Sequence, residues 1–582
     1  MSTWSATKPS SVAEVEPPSV ETLRRASLGD PGLASSQPAG VGTARSHSPA
    51  RLACVLVGLG LLACALRYAL CFPLIPDEAA LTMSIARRGY AGLLGELDFG
   101  QMAPPAFLLL VEACTRAFGL HEWSLRLAAF VAVVASIAVY PLVVRRVLAG
   151  WGFVLAVGIF AVSYWPMRYG SEVKPYGLDM LVACLWLLLA LRWLQGQRRW
   201  PWAVAMLPLA VAGFALSFPS VFVGGGAVMA MGLDAVRRRR VRDLWTPVVV
   251  GLALLAGFAG AYAWLVPARS ETARWMADYW HKAFPPADDP LGLGWYLLRV
   301  GAGELMPYPV GGENFASLGT LACVLVGLAW LVRRGRWTLV VLLLGPVVLA
   351  LAAGLMQRYP FGQPTRLQLY LAPALCLLAG QGLALLLGRL QAWVRAPAWR
   401  SPQRVAFVLL ASIPVVSMVR DVLQPYKTTT DLALRRAAQV VWSPAHRGGP
   451  RALSLREDLH GAFVDEPQGM HSELTRFLAN YYMRAPDAGR GVVPAGRAVQ
   501  VVAYHLDSQQ DADRRRAWIE AFCQAHGLRY VGSASLHVAH VDKHERLLRM
   551  DEIELLRFEP AGGPPEAADR DASAPAVAGR SG

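Results

Sequence analysis

Residues 124–144 read SLRLAAFVAVVASIAVYPLVV, and Arg145 and Arg146 follow directly. A helix needs about 20 mostly apolar residues to cross the hydrocarbon core of a bilayer. Arginine clusters accumulate on the cytoplasmic side of such helices. The stretch therefore predicts a transmembrane helix whose carboxyl end faces the cytoplasm.

The composition of the whole chain agrees with a membrane protein. Of its 582 residues, 54% are hydrophobic and only 17% are charged, and the mean hydropathy is +0.36. Soluble globular proteins are less apolar and carry more charge. The formal net charge of +15 would also fit a nucleic-acid-binding protein. Most of the basic residues, however, stand in short clusters between apolar stretches, so we expect lipid bilayer and no nucleic acid as a partner.

Eleven stretches are apolar enough to be predicted as spans, and the last of them is short and contains Pro414. One further apolar stretch, 104–119, is about 16 residues long and carries Glu112 and Arg116, so it predicts an interfacial helix instead. The predicted spans are 52–72, 124–144, 150–166, 177–195, 201–218, 220–236, 246–266, 317–333, 337–355, 367–388 and 405–419.

With these spans, five arginine clusters fall on one side of the membrane, which the positive-inside rule makes cytoplasmic. The amino terminus then lies inside, and the chain after residue 420 lies outside. The clusters are Arg145-Arg146, Arg198-Arg199, Arg237 to Arg242, Arg333 to Arg336, and Arg389 to Arg404.

Composition also divides the chain into regions. The eight cysteines show no disulfide or metal-ligand spacing, and no carboxylate or histidine cluster has such spacing, so no metal or other cofactor is expected. The predicted regions are a disordered cytoplasmic tail (1–50), a transmembrane domain (51–424), a small periplasmic α/β domain (425–560) with a helix near 510–526 between strands at 498–504 and 529–538, and a disordered tail (561–582).

The first outer loop, residues 73–123, carries two adjacent carboxylates, Asp77 and Glu78, directly after the first span. Such a pair at a helix exit is often no more than a solvated boundary. Here the sequence Gln101-Met102-Ala103-Pro104-Pro105 follows and leads into the interfacial helix, because the proline pair favours an extended entry and a helix start. Asp98 is a further candidate acid in this loop.

Two other outer segments carry basic residues, against the positive-inside trend. Residues 163–176, SYWPMRYGSEVKPY, contain Arg168 and Lys174, and residues 358–366, RYPFGQPTR, begin and end with arginine. Cations on the outer side indicate an anionic ligand, although contacts with phospholipid headgroups are the alternative. If the loops converge, the four cations form a phosphate clamp, since guanidinium groups bind phosphate in bidentate fashion. These cations are Arg168, Lys174, Arg358 and Arg366.

Three more residues of the outer loops, Tyr176, Tyr359 and His281, are candidates for binding a sugar or phosphate. Each is equally suited to anchoring the chain at the interface. The loop 267–316, with Trp275, Trp280 and Tyr308 among its aromatics, is long enough to cover a site.

The order of these motifs resembles the GT-C glycosyltransferases. The resemblance covers roughly residues 50–390 and is strongest to bacterial members of glycosyltransferase family 39, related to protein O-mannosyltransferases and to the aminoarabinose transferase of lipid A. The motifs are Pro-Asp-Glu-Ala after the first span, Gln-Met-Ala-Pro-Pro, Trp-Ser-Leu-Arg-Leu at 123–127, Arg-Tyr-(x)₂-Glu-(x)-Lys-Pro-Tyr at 168–176, and Arg-Tyr-Pro-Phe-Gly at 358–362.

The resemblance implies a GT-C fold and an inverting transfer of sugar from a polyprenyl-phosphate-linked donor to an envelope acceptor, on the outer face of a bacterial inner membrane. It also implies a catalytic carboxylate in the first outer loop, which Asp77 matches. Glu78 beside it is the second catalytic candidate, with the orientation of a backbone or sugar hydroxyl as its alternative role. Burial at the interface would raise the pKa of Asp77 and make it a better base. The aminoarabinose transferases have Glu-Lys before the proline pair, where this chain has Met102-Ala103, so that substrate does not carry over.

Two other classes of protein remain as alternatives. A polytopic transporter or flippase of lipid-linked or sugar substrates would place ionisable groups within its spans, whereas these spans are nearly free of charge. A non-catalytic envelope assembly protein would use the C-terminal domain to dock a partner.

Overall fold

The computed structural model describes residues 48–196, 199–268, 279–394, 401–441, 451–454, 499–506, 512–541 and 546–562. Nearly all of both predicted tails, and Trp275, lie outside these ranges. The α-helices, in chain order, are α1 Ser48–Ala69, α2 Pro76–Arg87, α3 Pro105–Phe118, α4 Glu122–Val144, α5 Gly150–Ala161, α6 Tyr164–Tyr169, α7 Tyr176–Gln195, α8 Trp200–Leu216, α9 Ser220–Arg237, α10 Trp245–Ala268, α11 Pro290–Gly301, α12 Leu318–Arg333, α13 Trp337–Leu355, α14 Ala372–Val394, α15 Pro402–Leu423, α16 Thr429–Val441 and α17 Ala512–His526.

The predicted polytopic helical architecture is confirmed. Within the described residues, eight helices are long and apolar enough to cross a membrane: α1, α4, α7, α9, α10 with the turn before it, α13, α14 with the turn before it, and α15. Three shorter apolar helices, α5, α8 and α12, fall on the remaining predicted spans.

Two spans differ from their predicted bounds. The helix predicted over 150–166 ends at Ala161, and α6 begins at Tyr164 after an extended residue, Ser163. Because α5 has 12 residues, it is only about 18 Å long, less than the thickness of the hydrocarbon core. The last span is longer than predicted: α15 begins at Pro402, with Ser401 as its N-cap, and continues through Pro414 to Leu423.

The bundle is held together by close helix packing around α5, α7, α12 and α14. At Gly380 and Gly382 of α14, an added Cβ would collide with the backbone of Ala156 and Cys323. Small residues of this kind allow helices in membranes to approach closely. Tyr140 of α4 is fully buried and donates its hydroxyl to the carbonyl of Pro373, 2.8 Å away. The apolar bundle is therefore specifically packed.

The interfacial helix predicted over 104–119 is present as α3, with Pro104 in an extended conformation before it. Its inner face packs with α2 and α4 in a second apolar cluster at one end of the bundle. Its outer face exposes Leu110 and Phe118. An apolar exposed face of this kind suits a helix lying at the membrane surface.

The small C-terminal α/β region is also present. Strands β1 Arg451–Ser454, β2 Val499–Leu506, β3 Leu528–Val541 and β4 Leu547–Pro560 form a sheet of order β1-β2-β4-β3. Strands β1 and β2 are parallel, and the other two pairings are antiparallel. Helix α17 connects β2 and β3, as predicted. Strand β4, which pairs along most of β2 and β3, was not predicted.

The C-terminal region packs against the same end of the bundle as the outer loops. Leu434 of α16 and Val538 of β3 belong to the apolar cluster that contains residues of α2, α3 and α4. This cluster ties the polar C-terminal chain to the end of the bundle where the candidate site lies.

Candidate active site

Helix α2 begins at Pro76, shortly after α1 ends at Ala69, and presents Asp77 in its first turn. Pro76 occupies the first helical position, which suits a residue without an N–H. Glu78 reaches back to accept the N–H of Ile75, at 3.3 Å, and so stabilises the helix start. The side chain of Asp77 is 36% exposed, whereas that of Glu78 is 1% exposed. Only Asp77 is thus open to a ligand.

Glu78 forms a buried, bidentate ion pair with Arg126 of α4. Arg126 donates from Nε to Oε1, 2.9 Å, and from Nη2 to Oε2, 2.8 Å. Its Nη1 donates to the carbonyl of Phe72, and Glu78 also accepts the N–H of Val173 at 2.9 Å. These bonds join the first outer loop, α4 and the outer segment 163–176. The geometry favours a positioning role for Glu78 over the catalytic role expected from the sequence.

Asp77 lies between two of the predicted cations. Lys174 Nζ is 3.1 Å from Asp77 Oδ1, and Arg366 Nη1 is 3.3 Å from Asp77 Oδ2. Lys174 also donates to Gln101 Oε1, at 3.1 Å. Four parts of the outer loops therefore meet at the Asp77 carboxylate. They are the Pro-Asp-Glu-Ala motif, Gln101 before the proline pair, and the outer segments 163–176 and 358–366.

The pKa of Asp77 differs from the sequence-based expectation. Burial favours the neutral acid, but the positive charges of Lys174 and Arg366 outweigh burial, so the pKa is below the ordinary aspartate value of 3.8. The prediction that burial raises this pKa is wrong for the ligand-free site. In this state Asp77 is a fully ionised but weak base.

A second carboxylate, Glu172, lies beside this cluster and was not predicted as a site residue. Arg168 donates from Nε to Glu172 Oε1 at 2.9 Å, and Lys427 Nζ is 2.6 Å from the same oxygen. Burial opposes ionisation of Glu172, but the charges of Lys427 and Arg168 lower its pKa to about 2. The charge of Glu172 also acts on Asp77. Asp77 and Glu172 thus belong to one electrostatic cluster.

Aromatic rings border the cations. The guanidinium of Arg366 lies 5.6 Å from the ring centre of Trp280, and that of Arg168 lies 5.3 Å from Trp165. Tyr169 packs edge-on against Tyr176, with ring centres 4.9 Å apart. Cation–π contacts hold guanidinium groups in place. Tyr176, a predicted ligand-binding residue, is buried against Tyr169, whose ring centre lies 5.5 Å from the Arg168 guanidinium.

Three other predicted site residues differ in their surroundings from Lys174 and Arg366. Arg358 is exposed, and its side chain forms no ion pair with any residue in the described ranges. The hydroxyl of Tyr359 donates to the carbonyl of Leu367 at 2.9 Å, which gives it a structural role. His281 is exposed in the single turn His281–Ala283, next to Trp280. Arg358 follows the end of α13 and its side chain faces solvent, so the structure brings together three of the four predicted cations, and the phosphate clamp stays a prediction.

Asp98, the other candidate acid, is also engaged in structure. Arg88 Nη2 donates to its Oδ1 at 2.7 Å, and Ser84 Oγ donates to its Oδ2 at 3.1 Å. These contacts fix the short turn before Gln101.

Comparison with known proteins supports the predicted resemblance. The family model described as dolichyl-phosphate-mannose-protein mannosyltransferase matches residues 102–264, a segment that contains Lys174. The similarity to GT-C glycosyltransferases expected from the motifs is confirmed for this segment. No curated protein sequence matches the chain at a significant level.

Two solved structures are similar to the chain. Both are of ArnT from Cupriavidus metallidurans, one bound to undecaprenyl phosphate and one in the apo state. Each is 14% identical in sequence, with a TM-score of 0.45, and covers 88% of this chain. The alignments include 98% and 99% of the two ArnT chains.

Proposed function

We propose that the protein is a membrane glycosyltransferase that moves a sugar from a polyprenyl-phosphate-linked donor to a hydroxyl group of an envelope acceptor. One observation carries this proposal: Asp77 lies between Lys174 and Arg366 at one end of an apolar helical bundle. A carboxylate base beside phosphate-binding cations is what such a transfer requires. The matched family is described as using dolichyl-phosphate-mannose, which is a donor of this chemical type.

The proposed reaction is an inverting displacement at the anomeric carbon. The acceptor oxygen attacks that carbon while Asp77 takes its proton. The bond from the anomeric carbon to the phosphate oxygen breaks, and its electron pair stays on the leaving polyprenyl phosphate. Lys174, Arg366 and Arg168 stabilise the charge that develops on the phosphate.

The same cations regulate the strength of the base. In the ligand-free protein they hold the pKa of Asp77 low. A bound phosphate attracts Lys174 and Arg366 toward its own oxygens, which weakens their effect on Asp77. The pKa of Asp77 then rises, and the carboxylate becomes a better base only when the donor is present.

The position of the site suits a lipid-linked donor. The amphipathic helix α3 packs beside α2, which carries Asp77, so a donor whose tail remains in the bilayer can present its phosphate and sugar there. We place this end of the bundle on the periplasmic side of a bacterial inner membrane, because the predicted arginine clusters lie at the opposite ends of the spans.

Consumption of donor by purified full-length protein in lipid nanodiscs tests the function. Polyprenyl phosphates carrying radiolabelled sugars are supplied with envelope lipid, polysaccharide and protein fractions as acceptors. We expect labelled sugar to appear in one acceptor fraction and polyprenyl phosphate to be released. A transporter or flippase would instead relocate intact donor across the bilayer of proteoliposomes, and this result would overturn the proposal.

A further inference from the structure

The chain between the last span and the C-terminal region reaches into the candidate site. Helix α15 ends at Leu423 and α16 begins at Thr429. Lys427 lies in the short connection between them, and its Nζ is 2.6 Å from Glu172 Oε1. Glu172 also binds Arg168. The C-terminal chain therefore contributes a charged group to the cluster around Asp77.

This connection is anchored at both of its ends. Before it, Asp421 forms a buried ion pair with Arg67 of α1, at 2.6 Å. After it, Arg435 donates to the carbonyl of Cys71 at 2.6 Å and lies 3.6 Å from Glu122. The position of Lys427 is thus fixed by the packing of two helices.

A second anchor joins the connection to the sheet. Thr430 Oγ1 donates to the carbonyl of Ala539 at 2.8 Å and accepts the N–H of Val541 at 2.9 Å. Strand β3 therefore supports the start of α16, directly after Lys427. The C-terminal region thus contributes to the placement of this lysine.

Two cationic nitrogens of the cluster have hydrogen-bonding capacity to spare. Arg366 Nε is buried and has no hydrogen-bond partner among the described residues, and Lys427 Nζ is buried with a single ion-pair partner in the same part of the chain, Glu172 Oε1, at 2.6 Å. An ammonium group has three donors and a guanidinium has five. Buried donors are normally satisfied, by protein, water or a ligand. These two nitrogens are therefore suited to an anionic ligand with several acceptor oxygens.

The charges of the cluster point to the same ligand. Four cations, Lys174, Arg366, Arg168 and Lys427, face two carboxylates, Asp77 and Glu172, which leaves a net charge of +2. Without Lys427 the net charge would be +1. A polyprenyl-phosphate sugar is a phosphodiester with one negative charge, whereas the leaving polyprenyl phosphate is a monoester that approaches two.

We propose that Lys427 is part of the phosphate site. With Lys427, the net charge of the cluster is +2, which matches the two negative charges that the leaving polyprenyl phosphate approaches. This inference rests on the proposed function and extends it to the C-terminal chain. Lys427 shares the charge of Glu172 with Arg168 and so leaves more of the positive charge of Arg168 to act on the phosphate. Because the second negative charge develops only as the bond to the sugar breaks, Lys427 acts on the transition state more than on donor binding.

The test compares Lys427→Met with Lys427→Arg and Arg435→Met, all in full-length protein in nanodiscs. Arg435 is the matched control, since it anchors the same segment but pairs with Glu122. Three quantities are measured: kcat, the KM for donor, and the Kd for polyprenyl phosphate alone. We expect Lys427→Met to lower kcat and to weaken polyprenyl phosphate binding about tenfold each, with the KM for donor changed less than about threefold.

The other two variants separate charge from anchoring. We expect Lys427→Arg to restore most of kcat. Arg435→Met should leave kcat and Kd within about twofold of the parent, because the ion pair of Asp421 with Arg67 and the hydrogen bonds of Thr430 still hold the connection. Thermal unfolding of each variant reports on folding. If Lys427→Met fails to fold, Lys427→Gln is measured in its place.

Several results would overturn the inference. Equal losses in Lys427→Met and Arg435→Met would show that Lys427 only anchors the segment. Unchanged kcat and Kd in a folded Lys427 variant, or no binding of polyprenyl phosphate by the parent, would exclude Lys427 from a phosphate site. If the parent binds polyprenyl phosphate through Lys427 but transfers no sugar, the site stands and the proposed glycosyltransferase function fails.

Discussion

Lys174 Nζ lies 3.1 Å from Asp77 Oδ1, although the two residues are 97 positions apart in the chain. The contact joins the first and second outer loops at the carboxylate that we propose as base. It depends on the buried pair of Glu78 and Arg126, because Glu78 also binds the N–H of Val173, next to Lys174. One buried ion pair thus places both the base and its neighbouring cation.

Replacement of Asp77 by asparagine removes the base and keeps its size. We expect Asp77→Asn to lower kcat by about two to four orders of magnitude. Loss of the negative charge leaves Lys174 and Arg366 without their carboxylate partner, so polyprenyl phosphate should bind at least as tightly as to the parent. Sugar transfer and binding of polyprenyl phosphate in nanodiscs measure the two effects.

The control for that variant is Asp98→Asn. Asp98 is an aspartate of the same loop, but its carboxylate pairs with Arg88, so transfer should remain within about twofold of the parent, as for most partly exposed pairs. Transfer by Asp77→Asn at the parental rate would show that another group removes the proton.

The sequence predicts much of the fold because apolar length and arginine position are local properties. Each predicted span coincides with a helix, and α3 follows from the proline pair before it. The exact ends of the spans depend on packing and capping. Ser401 caps α15, which begins at Pro402, before its predicted start. The backbone of Ser163 is extended, and α5 ends at Ala161, before its predicted end.

The site is only partly predictable, since its contacts are long-range. Arg358 and Arg366 share one short segment and look alike in sequence, yet only Arg366 reaches Asp77, because the turn Thr365–Leu371 carries it toward α14. Lys427 lies in polar sequence far from Glu172, and no local pattern indicates their contact. The partner of Glu78, Arg126, lies within an apolar span.

The two arginines of the outer segment 358–366 provide a matched pair of variants. We expect Arg366→Gln to raise the KM for donor and to weaken polyprenyl phosphate binding by about tenfold, because a charge-assisted contact with phosphate is lost. Arg358→Gln should change both quantities less than about twofold, since its side chain is exposed and has no ion pair in the described ranges. Equal effects of the two variants would mean that the donor binds differently from our proposal.

Glu78→Gln tests the positioning role of the buried pair. The change leaves the Arg126 guanidinium buried, with 2% of its side chain exposed, and without a charged partner. Breaking a buried ion pair in this way costs about 3–5 kcal/mol, so we expect a clearly lower midpoint of thermal unfolding. The double variant Glu78→Met with Arg126→Met should be closer to the parent, because it leaves no buried charge.

The comparison for Glu78→Gln is Glu112→Gln. Glu112 pairs with Arg116, whose side chain is 56% exposed, so solvent screens this pair and its loss should destabilise the protein less. An unfolding midpoint for Glu78→Gln as high as that for Glu112→Gln would contradict the positioning role.

The dependence of the reaction on pH tests whether donor binding strengthens the base. In the free protein the pKa of Asp77 is below 3.8, because Lys174 and Arg366 outweigh the effect of burial. The ionised carboxylate therefore contributes to stability above that value, and the contribution is lost as the pH falls through the lowered pKa.

The acid limb of kcat/KM reports the free protein and should lie below 3.8. The acid limb of kcat reports the donor complex, in which phosphate has drawn the two cations away, and should lie at higher pH. The pH profiles of kcat and kcat/KM are measured for the parent and for Arg366→Gln. The pH difference between the two acid limbs should be smaller in the variant, because only Lys174 remains to be drawn away from Asp77. Acid limbs of kcat and kcat/KM at the same pH in the parent would show that the phosphate leaves the cations around Asp77 in place.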